Sequence, residues 1–259
     1  MTRLEINNIS LNIGHAEILQ AVSTHVEKGE MVGLIGPNGA GKSSLLKSIL
    51  GLVETHAGSV ALDGSDIGAM KPSERAKKIA YAAQGAPVHW PLTVEHIVGL
   101  GRVPHLNPWQ QLSMQDKAAV EAAIALTDCA HLKDRTVTTL SGGERARVLL
   151  ARVLATDTDY ILADEPVASL DPSHQLEVMD ILKAQSKLGK GVLVVLHDLN
   201  LALRYCDRLI LIDKGNLIGQ GTAADILSDK NLRDVFGVKA VRYSDNGEDF
   251  IIIRHLDKD

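Results

Sequence analysis

The segment Gly36-Pro37-Asn38-Gly39-Ala40-Gly41-Lys42-Ser43 has the residue types and the spacing to hold phosphate. Its glycines let successive backbone N–H groups face phosphate oxygens, and a helix starting at its end adds a partial positive charge. In such a loop Lys42 reaches the β- and γ-phosphates of a nucleoside triphosphate, and the Ser43 hydroxyl ligates Mg2+. A glycine-rich turn without a ligand is the plainer alternative. A second candidate is Asp164-Glu165, at the end of an apolar run. An aspartate there can hold a metal through water, and a glutamate can orient and deprotonate an attacking water. Alone, the pair also reads as a solvated acidic turn before Pro166. The third is Leu140-Ser141-Gly142-Gly143-Glu144. Ser141 and Glu144 have the spacing of a capping box, and two glycines at a helix start leave backbone N–H groups open to an anion.

These groups need elements to position them. Residues 31–35 form a compact apolar strand, and Leu45, Leu46, Ile49 and Leu50 recur at helical spacing after Lys42. Strand, glycine loop and helix are the context a phosphate loop requires. Residues 4–13 and 21–26 read as short strands, 59–62 with Asp63-Gly64 as part of a hairpin, and 79–83 as a further strand. From 85 to about 157 the pattern turns helical, with helices at 93–100, 116–126 and 142–155. Beyond it strands at 160–163, 192–196 and 209–213 alternate with helices at 172–188 and 199–206. Asp245-Asn246-Gly247 reads as the turn of a terminal hairpin. Strand–helix alternation interrupted by helices predicts a parallel-sheet core carrying a helical lobe.

Composition narrows the class. With 27 Lys+Arg against 32 Asp+Glu the chain has no excess of positive charge for a broad nucleic-acid surface, although a local basic patch is still allowed. Cys129 and Cys206 lack metal or redox spacing, so both read as small apolar residues in a reduced compartment. The start of the chain has no signal-peptide pattern, and the longest apolar runs are strand-length, far short of the ~20 residues of a membrane span. His89, His96 and His105 fall close together, but their spacing fits no standard ligand set, and a surface that docks a partner is the preferred reading.

Phosphate loop, Leu140–Glu144 pentapeptide and acid-ended strand, in that order, resemble the ATP-binding cassette (ABC) family from about residue 4 to 236. The resemblance implies an α/β P-loop NTPase fold, RecA-like, with a mostly parallel sheet, an N-terminal antiparallel β subdomain and an inserted helical subdomain. As a single nucleotide-binding domain, 1–84 and 158–240 would form the core, 85–157 the helical subdomain and 241–259 the hairpin. It further implies ATP and Mg2+. Nucleotide contacts fall on Gly36, Pro37, Asn38, Gly39, Ala40, Gly41, Lys42, Ser43 and Ser44. From a second copy, Ser141, Gly142, Gly143 and the D-loop residue Asp171 would join them. Catalysis would rest on Glu165, His197 (the switch histidine), Gln84 (the Q-loop glutamine) and Lys42, with Mg2+ at Ser43, Gln84 and Asp164. A lone Gln or His would otherwise read as structural, and Asp171-Pro172 as an ordinary helix N-cap.

The chain departs from the family pattern at Ile13, where an aromatic residue usually stacks on adenine, and at Ala146 and Val167, where Gln and Thr are common. One uninterrupted cassette favours the ATPase subunit of a membrane importer over a soluble ABC ATPase of translation or DNA maintenance. Residues 91–105 and 162–166 resemble ATPases serving ferric-siderophore, heme and cobalamin permeases. The implied partners are a second copy, two transmembrane permease subunits contacted through the 84–105 region and, indirectly, a substrate-binding protein. No nucleic acid is expected. The implied location is the cytoplasmic face of the inner membrane, held there by the permease.

Overall fold

A computed structural model of the chain describes residues 3–85, 88, 90–245 and 247–256. The elements begin with β1 (Arg3–Ile13), β2 (Ala16–Glu27), β3 (Met31–Ile35), α1 (Lys42–Ile49), β4 (Ala57–Leu62) and β5 (Ser65–Asp66). Next come α2 (Pro72–Ala76), β6 (Ile79–Ala82), α3 (Val94–Gly99), α4 (Met114–Leu126), α5 (Gly142–Ala155), β7 (Tyr160–Asp164) and α6 (Pro172–Lys187). The chain finishes with β8 (Gly191–Val195), α7 (Leu199–Tyr205), β9 (Arg208–Asp213), β10 (Asn216–Gly221), α8 (Ala223–Ile226), α9 (Asp229–Phe236), β11 (Val238–Asp245) and β12 (Glu248–His255). They fall into two compact units, Met1–Ala69 with Gly191–Asp259, and Met70–Lys190.

In the first unit, β2-β1-β4-β5 form an antiparallel sheet. A second run of strands has the order β10-β9-β3-β8, with β3 parallel to both β8 and β9 and β10 antiparallel at the edge. Every residue of β3 and of β8 is buried, which explains their unbroken apolar sequence in place of an alternating one. Parallel pairing also sends both chains out of the sheet at the same edge. Leu34 pairs with Val195, so Gly36 and His197, each two residues further on, leave side by side. The terminal hairpin β11–β12 is longer than its apolar residues suggest, and Asn246 of its expected turn lies outside the described residues. It is fastened to α7 by Asn200, whose side chain donates to the Ile251 carbonyl (3.1 Å) and accepts from its N–H (2.8 Å).

In the second unit, β6 and β7 run parallel and α3, α4 and α5 pack on one another through Val94, Val98, Val120, Ile124, Val148 and Ala151, all buried. The buried Arg102 joins this lobe together. Its guanidinium donates to Asp116 (2.8 Å) and to the carbonyls of Ala155 (2.9 Å) and Thr156 (3.4 Å). Ser113 and Arg102 hydrogen bonds hold the Asp116 carboxyl down at about 2. Helix α4 starts at Met114, two residues ahead of the expected 116, because Ser113 and Asp116 form a capping box. Residues 214–236, given no element from the sequence, hold β10, α8 and α9.

Candidate active site

The phosphate loop connects β3 to α1 as its residue types require. Gly36 sits at φ 151°, and a Cβ built on it would lie 2.0 Å from the Ile212 carbonyl oxygen, so no other residue fits there. Helix α1 opens at Gly41 with no side-chain cap and no acid in its first turn, leaving its N-terminal end suited to an anion. Lys42 is 5% exposed and folds back over the loop, donating from Nζ to the carbonyls of Gly36 (2.7 Å) and Pro37 (2.9 Å). Asn38 and Gly39 at the tip are exposed, whereas Ala40 is buried. Ser43 and Ser44 follow in the first turn, half-buried. Ile13 is 58% exposed near the start of this unit, and His197 is exposed at the edge of β8.

In the other unit the strand register does the positioning. Ala82 pairs with Ala163, so Gln84 and Glu165 both lie two residues past a paired position. Their side chains meet, Gln84 Nε2 donating to Glu165 Oε2 at 2.6 Å. Glu165 holds φ 51°, a left-handed conformation that turns the chain sharply after β7. Asp164, the last residue of β7, is 2% exposed. It accepts a hydrogen bond from the Tyr81 hydroxyl at 3.2 Å, a partner the sequence reading did not identify. Burial, then the Asp164 charge and hydrogen bond, push the Tyr81 hydroxyl up to about 12, so it stays a donor.

The pentapeptide forms the start of α5 as its spacing predicts. Ser141 is the N-cap, accepting from Glu144 N–H (3.3 Å), while the Glu144 carboxylate accepts from Ser141 N–H (2.8 Å). Those Ser141 hydrogen bonds hold the Glu144 carboxyl below its ordinary value. A Cβ on Gly142 would meet nothing within 4 Å, so that backbone is open to a ligand. Gly143 differs: a Cβ there would lie 2.7 Å from the His174 ring of α6. Asp171 is an N-cap followed by Pro172, but its side chain makes no capping bond and stays exposed. A cavity of about 700 Å³ is lined by Gln84, Glu165, Gly142, Arg145 and Ser169, linking the acidic edge of β7 with the start of α5.

Two histidines of the lobe lie within hydrogen-bonding distance of neighbouring groups. His96 Nδ1 lies 2.6 Å from the Thr93 hydroxyl and His105 Nε2 lies 2.8 Å from the Thr156 carbonyl. His89 is outside the described residues. Cys129 is buried and Cys206 half-buried, both as free thiols. No helix among the described residues is long and apolar enough to cross a membrane.

A glycine loop joining a buried parallel strand to a helix with an open N-terminal end, and an acid pair at the end of a second buried parallel strand, define a P-loop nucleoside triphosphatase. The ABC transporter family matches residues 19–168. The hemin import ATP-binding protein HmuV of Pseudomonas entomophila is 40% identical over 97% of this chain and all of its own length. A Bacillus subtilis protein named as the probable siderophore transport system ATP-binding protein YusV is 38% identical, covering 92% of this chain and 87% of its own. The cobalamin import ATP-binding protein BtuD of Halobacterium salinarum is 37% identical over 91% of this chain and 59% of its own. Among solved structures, an ABC transporter in an inward-facing conformation superposes at TM-score 0.86 with 25% identity, covering 100% and 99% of the two chains. A bacterial ABC cassette solved as a dimer superposes at 0.75 with 27% identity over 85% and 98%. The chain belongs to the ABC transporter family and is an ATP-binding cassette ATPase.

Proposed function

We propose that this cassette is the ATP-hydrolysing subunit of an importer for a metal chelate: a ferric siderophore, heme or cobalamin. The observation that carries this reading is the 97% coverage of the chain by a hemin importer subunit at 40% identity. The siderophore and cobalamin relatives support the same cargo class.

ATP is the substrate. Backbone N–H groups from Gly36 to Ser43, with Ser44, cradle its phosphates, and Lys42 shifts its ammonium from the loop carbonyls to the β- and γ-phosphates. The Ser43 hydroxyl, the Gln84 amide oxygen and the Asp164 carboxylate, the last through water, offer the oxygen donors that Mg2+ demands; these residues would hold the ion, and it would supply neutralisation of the developing phosphate charge. Glu165 orients and deprotonates the attacking water. His197, leaving the sheet beside the glycine loop, contacts the γ-phosphate. Ser141, Gly142, Gly143 and Asp171 complete the site of a second copy in a head-to-tail dimer, which accounts for the open Gly142 backbone.

The helical segment 85–157 is the signature subdomain, and the 84–105 region docks two permease subunits that hold the cassette at the cytoplasmic membrane face. ATP drives the permease by favouring the closed dimer over the open one. Affinity purification of the chain from its native membrane tests this reading: a transmembrane permease should co-purify, with ATPase activity rising when its binding protein is loaded with siderophore, heme or cobalamin. Co-purification with ribosomes or DNA instead would overturn it.

A further inference from the structure

We infer that the outer face of the β11–β12 hairpin is a second contact between copies of this chain, separate from the shared ATP sites. Two hairpins stack face to face about a twofold axis, with opposite charges meeting at both ends. The register is unbroken from the Val238–His255 pair to the Asp245–Glu248 pair, and side chains alternate along each strand, so the hairpin has two distinct faces. One face turns inward. Ile251 is buried on it, and Arg242, its partner across the ladder, donates to Asp229 and to the Leu227 carbonyl (both 2.6 Å) at the start of α9. The opposite face carries two apolar rungs, Val241 with Ile252 and Tyr243 with Phe250. The Tyr243 and Phe250 rings stack with centroids 5.6 Å apart. Tyr243 is 44%, Phe250 37% and Ile252 45% exposed, which makes this face an exposed apolar patch.

Charge selects the occupant. On the same face the rung of Lys239 and Arg254 is basic, and the rung of Asp245 and Glu248, beside the turn, is acidic. The face therefore runs from base through apolar to acid along its length. A second copy turned about a twofold axis across the strands lays β11 on β11 and β12 on β12 with their directions reversed. Lys239 then faces Asp245 of the second copy, Arg254 faces its Glu248, and the apolar rungs lie between. A twofold axis along the strands would set base over base and acid over acid, and facing like charges repel. Glu248 also lies 3.3 Å from Arg204 of α7, an exposed pair of the kind that contributes little. Four rungs cover roughly 20 Å by about 10 Å, well below the ~800 Å² per partner of a standing interface. The contact is weak by itself and acts as a tether, raising the effective concentration of copies that another site also joins.

The experiment is sedimentation equilibrium of the full chain without nucleotide, at concentrations up to about 1 mM. Omitting ATP keeps the result apart from the shared ATP sites, whose closure depends on it. Wild type should dimerise weakly, and added salt should weaken it further. Arg254→Glu sets acid over acid and Glu248→Arg sets base over base, so each alone should weaken dimerisation about tenfold or more. An equal mixture of the two variants sets acid over base at both ends and should recover the wild-type dissociation constant. Mixing cannot repair a misfolded chain, so recovery reports the contact itself. A monomeric wild type, single variants that associate as wild type does, or a mixture no better than its parts would overturn the inference. So would a monomeric chain that binds phosphatidylglycerol vesicles through this face and loses them with Arg254→Glu, which would assign the face to a membrane surface.

Discussion

Gln84 donates a 2.6 Å hydrogen bond from its side-chain amide to the carboxylate of Glu165, 81 residues away in sequence. The pairing of Ala82 with Ala163 across β6–β7 makes this contact, since both side chains emerge two residues past the same rung. The glutamine that begins the lobe region and the glutamate proposed to activate water are therefore one unit. A displacement of the segment after Gln84 acts on the base directly, which is the physical link between permease docking and hydrolysis in the mechanism proposed above.

Replacing Glu165 with Gln keeps this shape and removes the proton acceptor. Turnover should fall by roughly a hundredfold or more, the ordinary weight of a general base. Nucleotide binding should survive, and the variant should elute as an ATP-stabilised dimer on size exclusion. Hydrolysis at the wild-type rate would assign the base elsewhere.

Lys42 is buried with its ammonium on the carbonyls of Gly36 and Pro37. Lys42→Ala removes a charge-assisted contact to phosphate, so ATP affinity should drop by about tenfold or more, measured by calorimetry. An unchanged affinity would count against its phosphate role.

Gly143→Ala places a methyl group 2.7 Å from the His174 ring. The start of α5 must then shift, and ATP-dependent dimerisation should be lost while ATP binding to the single cassette persists. Adding His174→Ala makes room and should restore the dimer at least in part. If the double variant stays as impaired as the single, the clash is not the cause.

Arg102→Ala strands Asp116 and leaves the Ala155 carbonyl without a buried donor. Loss of one member of a buried pair costs about 3 kcal/mol, to be read from urea unfolding. Asp116 itself has a folded pKa of about 2 against an ordinary 3.8. A depressed carboxylate stabilises the fold above its unfolded value, and that contribution disappears as pH falls from about 4 to about 2. Asp116→Asn should therefore flatten the stability–pH curve in that window, and an identical slope would contradict the assignment.

Much of the site was legible because loops carry their geometry in residue type. The glycine run, the Ser141–Glu144 capping box and the acid pair ending β7 all announce local backbone shapes, and each lies where its sequence placed it. What stayed hidden depends on register or on packing between distant helices. Tyr81 reads as one more half-buried strand residue until β6 is aligned with β7. The contact of His174 with Gly143 needs α5 and α6 packed together. The stretch 214–236 was missed for another reason: β10 mixes half-buried and exposed positions on an edge, and α8 is only four residues long, so neither carries a clear period. Its signal was local, the Thr222–Asp225 and Ser228–Asn231 caps.

The central claim is that each ATP site is built from two copies, the glycine loop of one and Ser141 to Gly143 of the other. Mixing tests it most directly. A Lys42→Ala chain lacks a working phosphate loop and a Ser141→Arg chain lacks a working pentapeptide, so each homodimer should be inactive. Random pairing makes half the dimers mixed, each with one of two sites intact, so ATPase activity should recover to about a quarter of wild type. No recovery on mixing, or full activity in either variant alone, would contradict the shared site.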